Sequence, residues 1–302
     1  MENDLPQRTR VYQNHHLDST RWDSFVPRDD DIVIATPYKC GTTWMQGIVG
    51  GLILPEQEDP LDAAVWIDIR LPPLEEIMAQ LAGQTHRRSI KTHLPLDGLP
   101  YHAQVKYIVV SRDVRDVFMS LWNHYSNYTP SFYEDINDAT SRVGPPQPIC
   151  PEEIREFWQM WITQGWFEWE GEGYPYWSNM RHVQTWWNFR HLPNILFVHY
   201  NHLKIDPANQ IQRIAQYLDI PISAEAVPEL VHATSLNTMR EKAVAKDFLK
   251  DFFKEGAAGF FYKGTNNRWK EVLTSEDLEL YEMAAERELS PDCRAWLEKG
   301  IY

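Results

Sequence analysis

The stretch DIVIATPYKCGTTW (residues 31–44) opens with an apolar, β-branched run and closes on a turn of small and hydroxyl-bearing residues. The first seven residues predict a buried strand. From Gly41 to Leu54 the chain is apolar and free of proline, and Pro55 ends it, so this part predicts a helix. A strand, a tight loop and a helix N-terminus in that order make an anion site. Unpaired backbone N–H groups and the positive end of the helix macrodipole converge there. Gly41 permits close backbone approach, Thr42 and Thr43 add hydroxyl donors, and Lys39 adds a full charge. The loop is not a Walker A motif, which places its lysine after the second glycine of GxxxxGK[ST]. Here Lys39 lies two residues before Gly41, and no acidic strand end suggests a Mg²⁺ partner.

Working outward, RSIKTHLP (88–95) predicts a weaker strand stopped by Pro95. KYIVVS (106–111) predicts a strong one, followed from Asp113 to about Ser126 by a helix, and NILFVHY (194–200) predicts a third strong strand. Strands alternating with helices imply an α/β fold, a central parallel sheet covered by helices on both faces. The proline-rich segment between Tyr128 and Pro151 reads as a loop, residues 151–190 as helical, and 275–289 as a final helix. No linker separates two domains, so 1–302 reads as one domain, with 1–30 as an N-terminal lead-in and 242–267 as a mobile cofactor or substrate loop.

The chain has 302 residues, 43 acidic against 29 basic, for a formal charge of −14. Such a surface repels phosphate polymers, which argues against a nucleic-acid partner. An anionic ligand needs a local cationic pocket. The three cysteines, Cys40, Cys150 and Cys293, form no CxxC or CxxH pattern, so neither a disulfide framework nor a zinc site is indicated. No signal-peptide pattern and no apolar run of membrane-spanning length is present, and a cytoplasmic protein without a membrane span is expected. Thirteen tryptophans are unusual, and seven of them fall between Trp158 and Trp187.

Four further stretches stand beside the loop: KTHLP (91–95), SRDVRDVFMS (111–120), TSLNTM (234–239), and FYKG (261–264) followed by Trp269-Lys270. With KCGTTW (39–44) they resemble, in order and spacing, the motifs of cytosolic-type sulfotransferases, and a bacterial-type member is expected. The resemblance covers about residues 30–275. It implies the P-loop-kinase-like sulfotransferase fold and the cofactor 3′-phosphoadenosine 5′-phosphosulfate (PAPS), with 3′-phosphoadenosine 5′-phosphate (PAP) as product and no metal. It also implies that Lys39, Cys40, Gly41, Thr42, Thr43 and Trp44 line the 5′ side of the cofactor, and that Arg112 and Ser120 bind its 3′-phosphate. Tyr200, Thr234, Ser235 and Met239 fall at nucleotide-side positions, and Tyr262, Lys263 and Gly264 at the late phosphate segment.

Two positions depart from the pattern. The family has RKG where this chain has Tyr262-Lys263-Gly264, so an arginine of the 3′-phosphate clamp is missing and Lys263 or Arg268 is left to replace it. The family's dimer segment KxxxTVxxxE appears as KEVLTSEDLE (270–279), with Ser275 for valine, which leaves homodimerisation through it open.

In sulfuryl transfer His93 is placed as the general base, since neutral imidazole accepts a proton near pH 7. Lys39 would stabilise charge on the leaving phosphate oxygen. Lys91, two residues from His93 and so on the same face of an extended segment, would contact the sulfonate or the acceptor. The resemblance implies that Ser120 also restrains Lys39. Arg115 reads as an exposed helix charge paired with Asp113 or Asp116. The acceptor is expected to be a small hydroxyl compound, apolar or aromatic, with His124, Trp22 and Phe25 as candidate contacts. Phenols, sterols, lipids and sugars all fit. The tryptophan-rich stretch reads as core packing or as pocket wall. A P-loop phosphotransferase is the alternative enzyme, disfavoured by the lysine-before-glycine order, and a non-catalytic nucleotide-binding protein is the other.

Overall fold

Residues 32–35 form a strand because each of Ile32, Val33, Ile34 and Ala35 is buried, as expected where both faces of a parallel sheet are covered. The structure, a computed structural model, describes residues 5–54, 64–138, 140, 142–247 and 249–300. Along the chain run β1 (Ile32–Ala35), α1 (Thr42–Ile53), β2 (Ala64–Trp66), α2 (Leu74–Gly83), β3 (Ser89–Thr92), β4 (Lys106–Ser111), α3 (Val114–Ser126), α4 (Pro130–Ile136) and α5 (Ile154–Thr163). There follow α6 (Asn179–Trp187), β5 (Ile195–His199), α7 (Tyr200–Ile205), α8 (Pro207–Tyr217), α9 (Ala226–Ala233), α10 (Leu236–Ala245), α11 (Gly256–Phe260), α12 (Ser275–Glu288) and α13 (Pro291–Lys299). They divide into two units interleaved in sequence. The first comprises Met1–Tyr12, Leu17–Ser111 and Thr185–Ser235; the second comprises Gln13–His16, Arg112–Gln184 and Leu236–Tyr302.

The first unit carries a five-stranded, all-parallel sheet in the order β2-β3-β1-β4-β5. One face is packed by Ile32, Ile34, Ile108, Val110 and Val198 against Met45, Ile48 and Val49 of α1, Leu203 of α7, and Ile211 and Ile214 of α8. Each such side chain contributes about 1.5–3 kcal/mol on burial. On the alternate positions Tyr107 meets the Trp186 ring at 5.3 Å. The amino edge is tied by a buried bidentate pair, Arg88 to Asp31 at 2.7 and 2.5 Å. From the lead-in, Thr9 and Arg10 donate their backbone N–H groups to Asp97 O at 2.8 and 2.9 Å.

The second unit is helical. Phe118 of α3 packs edge-on to Trp158 of α5 at 4.8 Å, and Trp158 Nε1 donates to Asp277 O of α12 at 3.1 Å. Thr274 and Asp277 form a reciprocal capping box at the start of α12, within the segment compared above with the dimer motif.

Several expectations need correction. The strand β2 was not anticipated. The expected loop between Tyr128 and Pro151 contains α4, started by the Thr129 hydroxyl accepting from Phe132 N at 3.1 Å and by Pro130 in the first turn. Residues 151–190 are not one helical run, because 164–178 is irregular between α5 and α6. There the buried carboxylates of Glu170 and Glu172 accept backbone N–H groups of Ser178 (3.0 Å) and Met180 (2.9 Å). They satisfy the irregular turn and the N-terminus of α6. Residues expected to be a mobile loop at 242–267 include the end of α10 and all of α11, and Thr129 N donates to Phe252 O at 3.1 Å. The helix expected at 275–289 is α12, and α13 follows it. Pro55, expected to end α1, lies outside the described residues, and the helix is capped at Leu54. Trp158, Trp161, Trp177, Trp186 and Trp187 are all buried, so these five are core.

Candidate active site

Parallel register brings the first unit's site together. Ala35 of β1 pairs with Thr92 of β3, so the next residues, Thr36 and His93, leave the carboxyl edge of adjacent strands side by side. Open α/β sheets place their ligands at this edge. His93 Nδ1 lies 2.8 Å from Thr36 O. A carbonyl oxygen can only accept, so Nδ1 carries the hydrogen and the lone pair of the neutral ring sits on Nε2. The Thr36 hydroxyl, 3.2 Å from the same nitrogen, is also 2.6 Å from Thr42 Oγ1 and links the imidazole to the first turn of α1.

The loop between β1 and α1 is shaped by two left-handed residues, Lys39 (φ 62°) and Gly41 (φ 102°). Lysine in that region costs on the order of 1 kcal/mol, a strain typical of functional turns. A Cβ at Gly41 would lie 2.9 Å from the Tyr200 ring, which itself stands edge-on to Trp44 at 5.6 Å. Glycine is therefore required twice, by φ and by the close approach of Tyr200. Gly41 offers no side-chain cap to the helix, which leaves the first-turn N–H groups aimed out of its end as an anion site requires. Cys40 is buried, with Sγ directed at Tyr38 O.

Around His93 the rings of Tyr38 (stacked, 4.4 Å) and Trp66 (edge-on, 5.1 Å) set the imidazole plane. Lys91 Nζ stands 4.1 Å above the Trp66 ring. Burial pushes the Lys91 ammonium down to about 8, against the opposing pull of Asp68. Asp68 is buried, which raises its pKa, while hydrogen bonds from Trp66, His93, Thr92 and Trp22 work the other way. Thr234, expected on the nucleotide side, is buried with its hydroxyl on Leu230 O at 2.8 Å, and Ser235 follows it.

Within the second unit Arg112, at the exit of β4, holds the loop that follows Gly264. Its guanidinium donates to Asn266 Oδ1 at 2.7 and 3.2 Å and to Thr265 O at 3.0 Å. Asp116 accepts from Asn267 N at 2.6 Å. Burial raises the Asp116 pKa and the Arg112 charge offsets part of that. Ser120 is half-buried on α3. Tyr262, where the family pattern has arginine, carries two cations over its ring, Arg268 at 5.0 Å and Lys263 at 5.2 Å. Met239 is buried on α10. His124 is buried among Phe253 (4.8 Å), Tyr128 (5.2 Å) and Phe260 (5.8 Å).

Three expected placements change. Phe25 lies at the amino edge of the sheet, with Arg88 over its ring at 5.5 Å and His102 beside it at 5.8 Å, away from the edge that carries His93. Trp22 is core, its Nε1 held by Asp68 Oδ1 at 3.1 Å. Arg115 does pair with Asp113, at 2.7 Å, yet it is not an exposed charge: its guanidinium lies 4.3 Å from the Trp269 ring and 4.6 Å from Tyr281. Asp68, Trp66, Tyr38 and Thr36 were missed. The signal for Asp68 was present, since a lone aspartate interrupts the apolar run AVWIDI (64–69).

Among the described residues no group of three or more His, Cys, Asp or Glu side chains is arranged to hold a metal ion, and no helix is long and apolar enough to cross a membrane. A glycolipid sulfotransferase of Mycobacterium bovis is 32% identical over 99% of this chain and 98% of its own length. Rat sulfotransferase 1A1 is 26% identical over 83% of this chain and 81% of its own. Among solved structures, a mouse sulfotransferase complexed with PAP superposes with a TM-score of 0.65 at 20% identity, covering 91% of this chain and 90% of that one. Retinol dehydratase in complex with retinol and PAP gives 0.65 at 21% identity, over 90% and 84%. The sulfotransferase domain model matches residues 29–291, and the chain belongs to the sulfotransferase family.

Proposed function

We propose that this sulfotransferase moves the sulfuryl group of PAPS onto the hydroxyl of a small apolar or aromatic acceptor, working as one domain of 302 residues. The observation that carries the reading is the Nδ1 contact to Thr36 O, which leaves Nε2 of neutral His93 as the basic nitrogen. PAPS supplies sulfur activated on a phosphate leaving oxygen. The residues present suit such an anion: an uncapped helix start, the tight turn at Gly41, and Lys39.

His93 Nε2 takes the proton of the acceptor hydroxyl as the acceptor oxygen bonds to sulfur. The Lys39 ammonium would offset the charge left on the phosphate oxygen as the sulfur–oxygen bond of bound PAPS broke. Lys91, cationic below about pH 8, faces the sulfonate or acceptor. Arg112 and Ser120 take the 3′-phosphate, with Tyr262, Lys263 and Gly264 on the segment beside it. Cys40, Thr42, Thr43, Trp44, Tyr200, Thr234, Ser235 and Met239 complete the nucleotide contacts, and His124 the acceptor wall. An apolar acceptor is supported by the aromatic surroundings of His124 and by the glycolipid named for the mycobacterial relative.

The test is PAPS with a panel of phenols, sterols, lipids and sugars, read as PAP released. Turnover on apolar hydroxyl compounds is expected. Tight PAP binding with silence across the panel would leave a nucleotide-binding protein and overturn the enzymatic reading.

A further inference from the structure

Asp68 lies two residues beyond the end of β2 and is fully buried. Its Oδ1 accepts from Trp22 Nε1 at 3.1 Å, and its Oδ2 from Trp66 Nε1 at 3.0 Å and from the backbone N–H of His93 at 3.2 Å. The Thr92 hydroxyl donates to the same carboxylate and accepts from Leu94 N at 3.0 Å. Four donors converging on two oxygens suit the ionised form, because a protonated acid would set its own O–H against them. Its backbone is held as well: Asp18 N donates to Asp68 O at 2.9 Å, and Leu17 and Ile69 form an antiparallel bridge.

The four groups held by this carboxylate are not equivalent. Trp22 and Thr92 are scaffold. The His93 bond fixes the backbone from which the imidazole projects. The Trp66 bond fixes an indole that is edge-on to His93 at 5.1 Å and carries Lys91 Nζ 4.1 Å from its ring centroid. One oxygen, Oδ2, thus sets the position of both groups to which chemistry is assigned. Asp68 is the charged group that acts on Lys91, while His93 touches the same Trp66 ring and Tyr38 stacks on His93.

We propose that Asp68 is the positioning residue of this site, aligning His93 through its backbone and Lys91 through the Trp66 ring. The inference rests on the sulfotransferase reading with His93 as base. It separates two tryptophans that both donate an indole N–H to Asp68, the buried Trp22 and the half-buried Trp66, because only Trp66 relays to Lys91.

The experiment uses the full chain with PAPS and an acceptor turned over by the wild type, from pH 6 to 9.5, with PAP affinity from calorimetry. Asp68→Asn keeps the size and turns one acceptor oxygen into a donor. Its kcat is expected to fall about ten- to a hundredfold, the scale of a small misplacement of reacting groups. Acceptor KM and PAP affinity should stay within about threefold, since no binding contact is removed. Activity is lost as pH rises through the Lys91 pKa. Removing the carboxylate charge lowers that pKa, so the alkaline limb should move down by about half a unit or more. Trp66→Phe should move the limb in the same direction with a smaller fall in kcat, and Trp22→Phe should leave the limb in place.

Wild-type kcat and an unmoved limb in Asp68→Asn would overturn the inference. If that variant does not fold, identical limbs in Trp66→Phe and Trp22→Phe would overturn it. A wild type that releases no PAP from PAPS, or a His93→Ala variant as active as wild type, defeats the underlying reading and takes this inference with it. Loss of activity in His93→Ala beside an unaffected Asp68→Asn defeats the Asp68 inference alone.

Discussion

The surroundings of His93 and those of Trp158 are both buried and rich in rings, yet they are built on different physics. Around His93, in the first unit, hydrogen bonds decide the arrangement: Thr36, Asp68, Trp66 and Thr92 each give or take a directed bond. Around Trp158, in the second unit, rings decide it: Phe118, Phe157 and Trp161 pack at centroid distances of 4.8 to 5.9 Å, with one indole N–H satisfied by Asp277 O. A hydrogen-bonded frame orients a reactive nitrogen. Ring packing removes apolar area from water and specifies little chemistry.

If that division is right, truncation at the two places must fail differently. Trp158→Ala should cost about 3–5 kcal/mol in denaturant unfolding, the usual toll of deleting a fully buried ring. A loss below about 1 kcal/mol would show that the second unit does not depend on this packing. His93→Ala should lower turnover at least about a hundredfold with PAP affinity near wild type, as loss of a general base does. Preserved turnover, or lost PAP affinity, would blur the contrast by making His93 dispensable or a binding group.

A third measurement uses pH. Burial pushes Glu170 up to about 8 and Glu172 up to about 7, from ordinary values of 4.5. With folded pKa values above the unfolded ones, their contribution to stability is full below about pH 4.5 and is lost as pH rises to about 8. Urea midpoints should therefore fall from pH 5 to 8.5, and Glu172→Gln should remove about half of that slope, being one of two groups. An unchanged slope would remove the acid pair from the account of the irregular segment. The smallest effect belongs to Thr274→Ala, which opens the capping box of α12 and should cost about 0.5–2 kcal/mol without altering kcat. A change in kcat would show that the α12 start reaches the chemistry.

The motif at 39–44 and the strands at 31–37, 88–95, 106–111 and 194–200 were legible because their signals are local: β-branched runs, a helix start, and glycine where φ is positive. The helix α4 was misread although Thr129-Pro130 is a capping signature, because flanking prolines masked it. The irregular stretch at 164–178 was misread as helical because tryptophans at helical spacing mimic a buried helix face. Its real determinants are Glu170 and Glu172, whose bonds to Ser178 and Met180 no spacing rule announces. Asp68 stayed hidden because its partners come from Trp22, Trp66 and the 92–93 backbone, far apart along the chain.

The sequence by itself determined the α/β class and the sulfotransferase motifs and offered His93, Lys39 and Arg112 as candidates, since each depends on residues that are neighbours in the chain. Only the tertiary structure decided which nitrogen of His93 faces Thr36 O, that Asp68 bonds both the His93 backbone and the Trp66 indole, and that Phe25 lies at the amino edge of the sheet while Trp22 is buried. Those outcomes turn on strand register and on donors meeting acceptors across long sequence separations. Which strands pair, and in what register, is settled by the burial of whole faces and not by any one segment.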